Sequence, residues 1–518
     1  MINILYTGVS SACFELAGTS PYFAPQAFDI TLDGQTYGRS EANVFSVFGL
    51  KPDTDHEIGV VSPEGNETIT IHTAAESACV NVRDFGAAGD GLRDDTAAIQ
   101  AAISFVPDGT RVYFPEGTYL SRPLMLRSHI TLELAEGARL LGSTDREAYP
   151  IIPGYVSDMT GEGGLAEAVF EGNEVPAYQS LLQAAYAEDI TIVGLGRIDG
   201  NGQNGDWWTG YKDFPAARPR VIFMDHCKGV VLHGVTVCNG PAWHIHPYFT
   251  KDFSMLNCRV EAPKVSPNTD AIDPECCDGV KIIGCVFTVG DDCIAVKSGK
   301  IDLARKYHTP ADHHTIRNCL MEYGHGALTL GSELAGGIRN LSVTQCYFKA
   351  TDRGLRIKSR RGRGRESLIT NVDFDNIRMD RVLTPIVINL WYNCCDPDRF
   401  TEYVWSREKL PIDDRTPHMG DFHFRNMECT GAEVCAAYID GLPESPIDSV
   451  TFENISVTFA DECRPAVPAM QNFAVERCRM GLYLDNVRRV VLKNVSISGQ
   501  EGSALITDHC DEIHTEEF

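Results

Sequence analysis

One short pattern recurs along this chain: an aliphatic or aromatic residue, a spacer or two, then usually Asn or Gly followed by a small apolar residue. VVLHGVTV, FSMLNCRV, VKIIGCVF, HTIRNCLM, LSVTQCYF, VDFDNIRM, FHFRNMEC, VTFENISV and VVLKNVSI are examples. The aligned residues Val235, Cys258, Cys285, Cys319 and Cys346 are spaced by 23, 27, 34 and 27 residues. A step of that size is one solenoid coil with loop insertions, because such a repeat buries its apolar face only by stacking on its neighbours. The LxxLxLxxN spacing of leucine-rich repeats and the WD signature of propellers are both missing, which leaves a parallel β-helix. Asn257, Asn318, Asn376, Asn426, Asn454 and Asn494 recur at one point of the repeat. They are expected at inward turns, satisfying backbone groups.

Two regions precede the repeats. Residues 1–77 alternate short apolar runs with turn signals, which reads as a small all-β sandwich. Its segment FGLKPDTDHEI resembles the strand corner of fibronectin type III modules, with His56 where those modules carry a tyrosine. Residues 78–518 then form the β-helix domain. It opens with VNVRDFGAAGDGLRDDTAAIQAAI, in which Asp94 or Asp95 is expected to cap an amphipathic helix carrying Ile99 and Ile103. GAAGDG lacks the spacing of a nucleotide-binding loop.

Charge narrows the partners. With 45 basic against 71 acidic residues the net charge is −26, which repels nucleic acid and anionic lipid. No apolar run approaches the roughly 20 residues that span a bilayer, so neither nucleic acid nor a membrane is expected as a partner. The sequence defines no oligomeric state. MINILYTGVSSACFELAG has no Lys or Arg ahead of its apolar stretch, so the chain as given reads as cytoplasmic. The 18 cysteines are scattered through strand-like segments and read as buried free thiols, and no CxxC pair or His/Cys cluster has structural zinc spacing. No structural metal is expected.

The chemistry is concentrated in four segments. SPNTDAIDPE holds Asn268, Asp270 and Asp273, and VGDDCIAVKSG holds Asp291, Asp292 and Lys297. Asp270 and Asp291 are 21 residues apart, about one coil, so neighbouring strands can set three carboxylates side by side. YGHGALTLGSE follows with His325, and then DRGLRIKSRRGRGR, in which Arg353, Arg356, Lys358, Arg360, Arg361, Arg363 and Arg365 fill seven of thirteen positions. A glycosidase needs one carboxylic acid to protonate the departing oxygen and a second carboxylate to activate water, and crowding like charges lets both forms coexist. The basic run is suited to gripping an anionic sugar.

Taken together, NTDxxD, GDDC, GHG and RIK in this order resemble the signature segments of the polygalacturonase family of glycoside hydrolases, and the resemblance spans roughly residues 80 to 500. It implies an all-β fold, a right-handed parallel β-helix, and hydrolysis of α-1,4-galacturonide linkages of pectin or oligogalacturonates with inversion and without metal or cofactor. Carried over, Asp291 is the general acid, and Asp270 and Asp292 hold and activate water. His325 supports the acid. Arg356 and Lys358 bind the galacturonate carboxylate, Asn268 orients substrate or an aspartate, and Tyr392 contacts substrate. The family motif commonly reads NTDGxD, whereas Ala271 and Ile272 follow Asp270 here.

Insertions at about 145–178, 201–218 and 396–420 are placed to wall off one end of the groove, which favours an exo-acting enzyme. Three alternatives stay open at this point: a rhamnogalacturonan or xylogalacturonan hydrolase, a pectate lyase using the aspartates to hold calcium, and a non-catalytic β-helical carbohydrate-binding protein.

Overall fold

The computed structural model describes residues 1–18, 20–63, 65–157, 164–166, 168–393 and 401–518. Parts of the first and third insertions, 158–163, 167 and 394–400, therefore lie outside the described residues.

Seven antiparallel strands open the chain: β1 (Ile2–Thr7), β2 (Ser11–Leu16), β3 (Phe23–Leu32), β4 (Gln35–Ala42), β5 (Val44–Phe48), β6 (Asp55–Ser62) and β7 (Gly65–His72). They form two sheets, β1-β2-β5 and β4-β3-β6-β7, because their alternating patterns give each sheet one apolar face. Ile2, Phe14, Phe28, Ile30, Phe45, Val47, Ile58 and Ile71 meet between them. His56 is buried in the corner: its Nδ1 lies 2.8 Å from Asp33 Oδ2, and its Nε2 accepts from the Lys51 amide.

From Ala78 onward every principal strand pairs in parallel with its counterpart one coil away, giving the right-handed parallel β-helix expected from the repeats. Inward side chains stack in files through a continuous core, each buried aliphatic contributing roughly 1.5–3 kcal/mol. The predicted alignment is the observed one, since Arg259, Val286, Leu320 and Tyr347 are register partners and the preceding Cys258, Cys285, Cys319 and Cys346 form a buried file.

Three expectations need correction. The asparagines do sit at turns, with φ between 49° and 57°, the left-handed region that Asn tolerates. Their side chains do not all turn inward to the backbone, however: Asn494 donates to Asn454 at 2.9 Å, Asn454 to Asn426 at 2.9 Å and Asn426 to Asp375 at 2.8 Å, an exposed ladder running between coils. Helix α1 (Thr96–Ser104) buries Ile99 and Ile103, but Asp95 does not cap it. The Asp95 carboxylate instead accepts from the Ala88 and Gly89 amides, which fixes the Gly-rich turn, while Asp94 accepts from the Thr96 amide. Finally, the cysteines are not all buried thiols. Cys463 and Cys478 form a disulfide, and the free Cys79 is exposed.

The sandwich docks on the side of the solenoid through an apolar contact of Cys13 and Val44 with Leu256 and Ile283, and through polar groups. Glu15 accepts from Arg317 Nε at 2.7 Å and Nη2 at 2.9 Å and from Asn318 Nδ2 at 2.7 Å, while Asn257 and His233 reach Ser46. Two of the turn asparagines, Asn257 and Asn318, thus become docking residues.

Candidate active site

A second parallel face carries the chemistry. Its strands are β8 (Leu124–Met125), β9 (Leu182–Ala185), β10 (Ile222–Asp225), β11 (Ile245–Tyr248), β12 (Ile294–Val296), β13 (Leu328–Gly331), β14 (Arg353–Lys358), β15 (Thr384–Asn389), β16 (Cys435–Asp440), β17 (Met480–Asp485) and β18 (Leu505–Asp508). Between β11 and β12, residues 272–275 keep register by single bridges, Ile272 with both Ile245 and Ile294, and Glu275 with both Tyr248 and Lys297. Because side chains alternate across a strand, Ile272 and Ile294 point into the core while Asp273 and Ala295 point out.

Asp270 and Asp292 lie one coil apart at the entry of this face, as the Ala271 amide donating to the Asp292 carbonyl at 3.0 Å shows. One carboxylate oxygen from each of Asp270, Asp291 and Asp292 falls within a 4.8 Å cluster. The 21-residue spacing therefore does what the sequence suggested, although the three groups stand in different surroundings.

Asp292 is fully buried. Arg356 Nη1 donates to its Oδ1 at 3.0 Å and Lys358 Nζ to its Oδ2 at 2.9 Å. Burial opposes its charge, but the Lys358 and Arg356 cations outweigh that and hold the carboxyl well below the usual range. Asp270, also buried, goes the other way: desolvation, then Asp273 and Asp291, push it well above the carboxylate range. Asp291 is the most accessible of the three, its side chain 20% exposed, and His325 Nδ1 lies 3.3 Å from its Oδ1. That contact raises the His325 pKa. Gly326 is required beside them, since a Cβ there would stand 2.9 Å from Asp292 Oδ1.

Arg356 and Lys358 thus come together with the aspartates, but as partners of Asp292. The rest of the basic run disperses. Arg353 donates to the Val467 and Pro468 carbonyls, Arg361 is buried against Glu444, Arg360 and Arg363 are buried, and Arg365 is exposed at the following turn. A grip by all seven cations is therefore corrected to two, set beside Asp292. Asn268 is held by a residue that sequence reasoning missed: Arg218 Nη2 donates to its Oδ1 at 2.6 Å while the guanidinium stacks 3.8 Å from the Tyr211 ring centroid. Tyr392 is buried with Lys358 Nζ 5.9 Å from its ring.

His244 was also missed. The Gly240 amide donates to its Nε2, so Nδ1 carries the proton and donates to the Asp270 carbonyl at 2.9 Å. Burial holds this imidazole neutral, pulling it down to about 4.

Two packed segments flank the aspartate cluster. On the side of the earlier coils, Phe170 stacks on Trp243 at 5.1 Å, and Val169 packs with Phe223, Tyr248, Cys276 and Leu303 of α2 (Ile301–Tyr307). On the other side a strap closed by Cys463–Cys478 lies over the face: Met470 Sδ accepts from Arg356, its carbonyl accepts from Asn389, and Gln471 donates to the Tyr438 hydroxyl at 2.8 Å. This strap was not among the insertions read from the sequence. Its two cysteines, 15 residues apart around a Pro-containing segment, were the available signal. A separate concavity of about 950 Å³ lies further along the face, between Arg407, Tyr483, Arg488 and His509, and holds none of the three aspartates.

The family described as glycosyl hydrolases family 28 matches residues 165–478, and one described as rhamnogalacturonase A/epimerase, pectate lyase-like, matches residues 79–138. The chain is 28% identical over 414 residues to a probable polygalacturonase of Vitis vinifera, covering 77% of this chain and 78% of the relative. It is 26% identical over 483 residues to an exo-poly-alpha-D-galacturonosidase of Dickeya chrysanthemi, covering 79% and 78%. Among solved structures, the family 28 exopolygalacturonase of Yersinia enterocolitica matches with a TM-score of 0.75 at 21% identity, over 99% of this chain and 98% of that one. A hyperthermoactive exopolygalacturonase of Thermotoga maritima matches with a TM-score of 0.64 at 24% identity, over 85% and 91%. At these identities the structural likeness speaks to the fold.

Proposed function

The chain belongs to glycosyl hydrolases family 28, and from that premise we propose that it hydrolyses α-1,4-galacturonide linkages of polygalacturonate or oligogalacturonates, acting from a chain end. The observation that carries the reading is the aspartate cluster, in which Asp292 is fixed as an anion by Arg356 and Lys358 while Asp270 is pushed toward the neutral acid. Environments that drive neighbouring carboxyls apart are what acid/base hydrolysis needs.

In this reading one proton passes between Asp270 and Asp291, whose carboxylate oxygens lie in one 4.8 Å cluster. When the proton sits on Asp291, the accessible member, it is delivered to the glycosidic oxygen as the bond to the sugar breaks. Asp270 is then a carboxylate and, with Asp292, aligns and deprotonates the attacking water. His325, kept protonated to higher pH than a free histidine by Asp291, donates to the carboxylate that Asp291 becomes. Arg356 and Lys358 also offer the nearest positive charge to a uronate carboxylate, which favours an acidic sugar over a neutral one.

Chain-end action is supported by the two flanking segments. Phe170, Val169 and α2 fill the groove on one side, and the Cys463–Cys478 strap covers it on the other. Inversion is proposed on the family alone, since the carboxylates are closer than the roughly 6.5–9.5 Å typical of inverting glycosidases. A lyase reading is disfavoured by the same geometry, because two protein cations already occupy the Asp292 oxygens that a calcium ion would need.

The direct test of the roles is Asp291→Asn assayed by reducing-end release from polygalacturonate. Loss of turnover by at least ~10³-fold with substrate affinity retained is expected. A variant as active as the parent would remove Asp291 from the acid's role.

A further inference from the structure

The strap closed by Cys463–Cys478 carries an aromatic side chain that the reaction as described does not use. Three consecutive residues tie the strap to the face. Met470 Sδ accepts from Arg356 Nη2 at 3.0 Å, Gln471 bridges antiparallel to Tyr392, and Asn472 Oδ1 accepts from Asn393 Nδ2 at 3.3 Å. Phe473 comes next. Its backbone enters the left-handed region at φ 60°, and its side chain is left 80% exposed.

The fold gains little from this arrangement. A bulky residue with positive φ is strained, and a ring left in water recovers almost none of the hydrophobic stabilisation that burial would give. An isolated exposed apolar residue is ordinary, but Met470 and Val475 of the same strap are exposed as well. Together they make a small apolar patch beside the proposed active site, the kind of feature that marks a ligand groove. Trp405 meets Phe473 at 5.6 Å with the ring planes 88° apart, which props the phenyl ring and leaves most of it open.

Position and chemistry agree on the ligand. Three residues of chain reach at most about 10 Å, so Phe473 stands within that span of Met470, whose sulfur touches Arg356. Gln471, two residues before it, pairs with Tyr392, and the Tyr392 ring lies 5.9 Å from Lys358 Nζ. Arg356 and Lys358 are the cations proposed above for a uronate carboxylate. A galacturonan chain held there by one unit extends its next unit across the face, and the strap is the flank it meets. The pyranose ring of galacturonate gathers C–H groups on one face, with hydroxyls and carboxylate on the other face and the edges. The electron-rich face of an aromatic ring attracts such C–H groups and adds no charge that substrate must strip of water.

We propose that Phe473 is a substrate-binding platform: its exposed ring stacks on the galacturonate unit adjoining the one held by Arg356 and Lys358, and so gives the enzyme a preference for longer chains. The proposal rests on the galacturonan reading of the active site given above.

The test compares wild type, Phe473→Ala, Phe473→Leu and Phe473→Trp on two substrates, hexagalacturonate and the shortest oligogalacturonate that wild type cleaves, with kcat and KM measured separately. The shortest substrate ends before the platform. Phe473→Ala is expected to lower the ratio of kcat/KM for the hexamer to that for the short substrate by about 10-fold, through KM and not kcat. Phe473→Leu keeps apolar bulk without a ring and should stay low, whereas Phe473→Trp should restore the ratio. A ratio unchanged in Phe473→Ala overturns the proposal, as does an equal loss on both substrates, which would make the role structural. Calorimetric titration with the same two oligomers reads the same ratio as Kd, and decides the proposal even if wild type binds without cleaving. A wild type that neither cleaves nor binds oligogalacturonates overturns the substrate reading and the proposal with it; normal wild-type turnover with a Phe473→Ala ratio unchanged overturns the proposal alone.

Discussion

Arg356 Nη1 stands 3.0 Å from Asp292 Oδ1, so the arginine that the sequence offered as a substrate clamp also sets the charge of an aspartate in the proposed catalytic cluster. Arg356→Gln is expected to cost at least ~100-fold in kcat/KM, because it loosens a buried anion as well as weakening uronate binding. The pH sign follows. A carboxyl held low in the fold adds stability that is present above its ordinary value near 3.9 and is lost as pH falls through the folded value. The variant raises that folded value, so its acid limb of activity and its acid unfolding both move to higher pH. Parallel pH–rate and pH–unfolding curves check this.

His325 titrates in the opposite sense. Its pKa is raised by the contact with Asp291, so an activity that depends on the protonated ring persists above about 6.5 and is lost as pH rises through the raised value. His325→Ala is expected to lower kcat by about 10- to 100-fold and to remove that step from the alkaline side of the profile. An unchanged alkaline limb would leave His325 with no part in the proton transfer.

The Cys463–Cys478 strap is predicted to determine chain-end specificity. Replacing residues 465–476 by a short Gly/Ser link opens the groove beyond Asn389, and early products on polygalacturonate should change from one short species to a ladder. Product chromatography reads the outcome directly. A single short product from the shortened enzyme would place the block elsewhere, at the Phe170–Trp243 wall.

Glu15 is one of the groups that dock the sandwich, and it satisfies Arg317 and Asn318 together. Glu15→Ala leaves both without that partner and is expected to destabilise the chain by about 1–3 kcal/mol, a figure reduced because the Arg317 side chain is 29% exposed. Denaturant unfolding measures it, and the expected change in kcat is small, since neither group is near the aspartates.

The solenoid was legible in the sequence because its cause is local: coil after coil repeats a small apolar residue behind a left-handed turn residue, Asn257, Gly284, Asn318 and Gln345 among them, and the file Cys258, Cys285, Cys319 and Cys346 could be aligned by eye. The aspartate cluster was legible for the same reason, since one coil of separation fixes which residues become neighbours. What the sequence could not give were contacts made across the face between distant segments. Arg218 on Asn268, His244 on the Asp270 carbonyl and Met470 on Arg356 join positions that no repeat relates. The basic run failed for a related reason. Seven cations in thirteen positions look like one surface, but the chain turns after Lys358 and buries Arg360, Arg361 and Arg363 away from the aspartates.

Hydrolysis of a galacturonan chain without added metal is the activity on which every role assigned above depends. Purified protein incubated with polygalacturonic acid and EDTA, followed for reducing ends, ultraviolet absorbance and the earliest products, tests it most directly. Reducing ends without new absorbance are expected, with a single short product, galacturonate or its dimer, from the first time points. Absorbance at the new chain ends that appears only when calcium replaces EDTA would contradict it and make the enzyme a lyase.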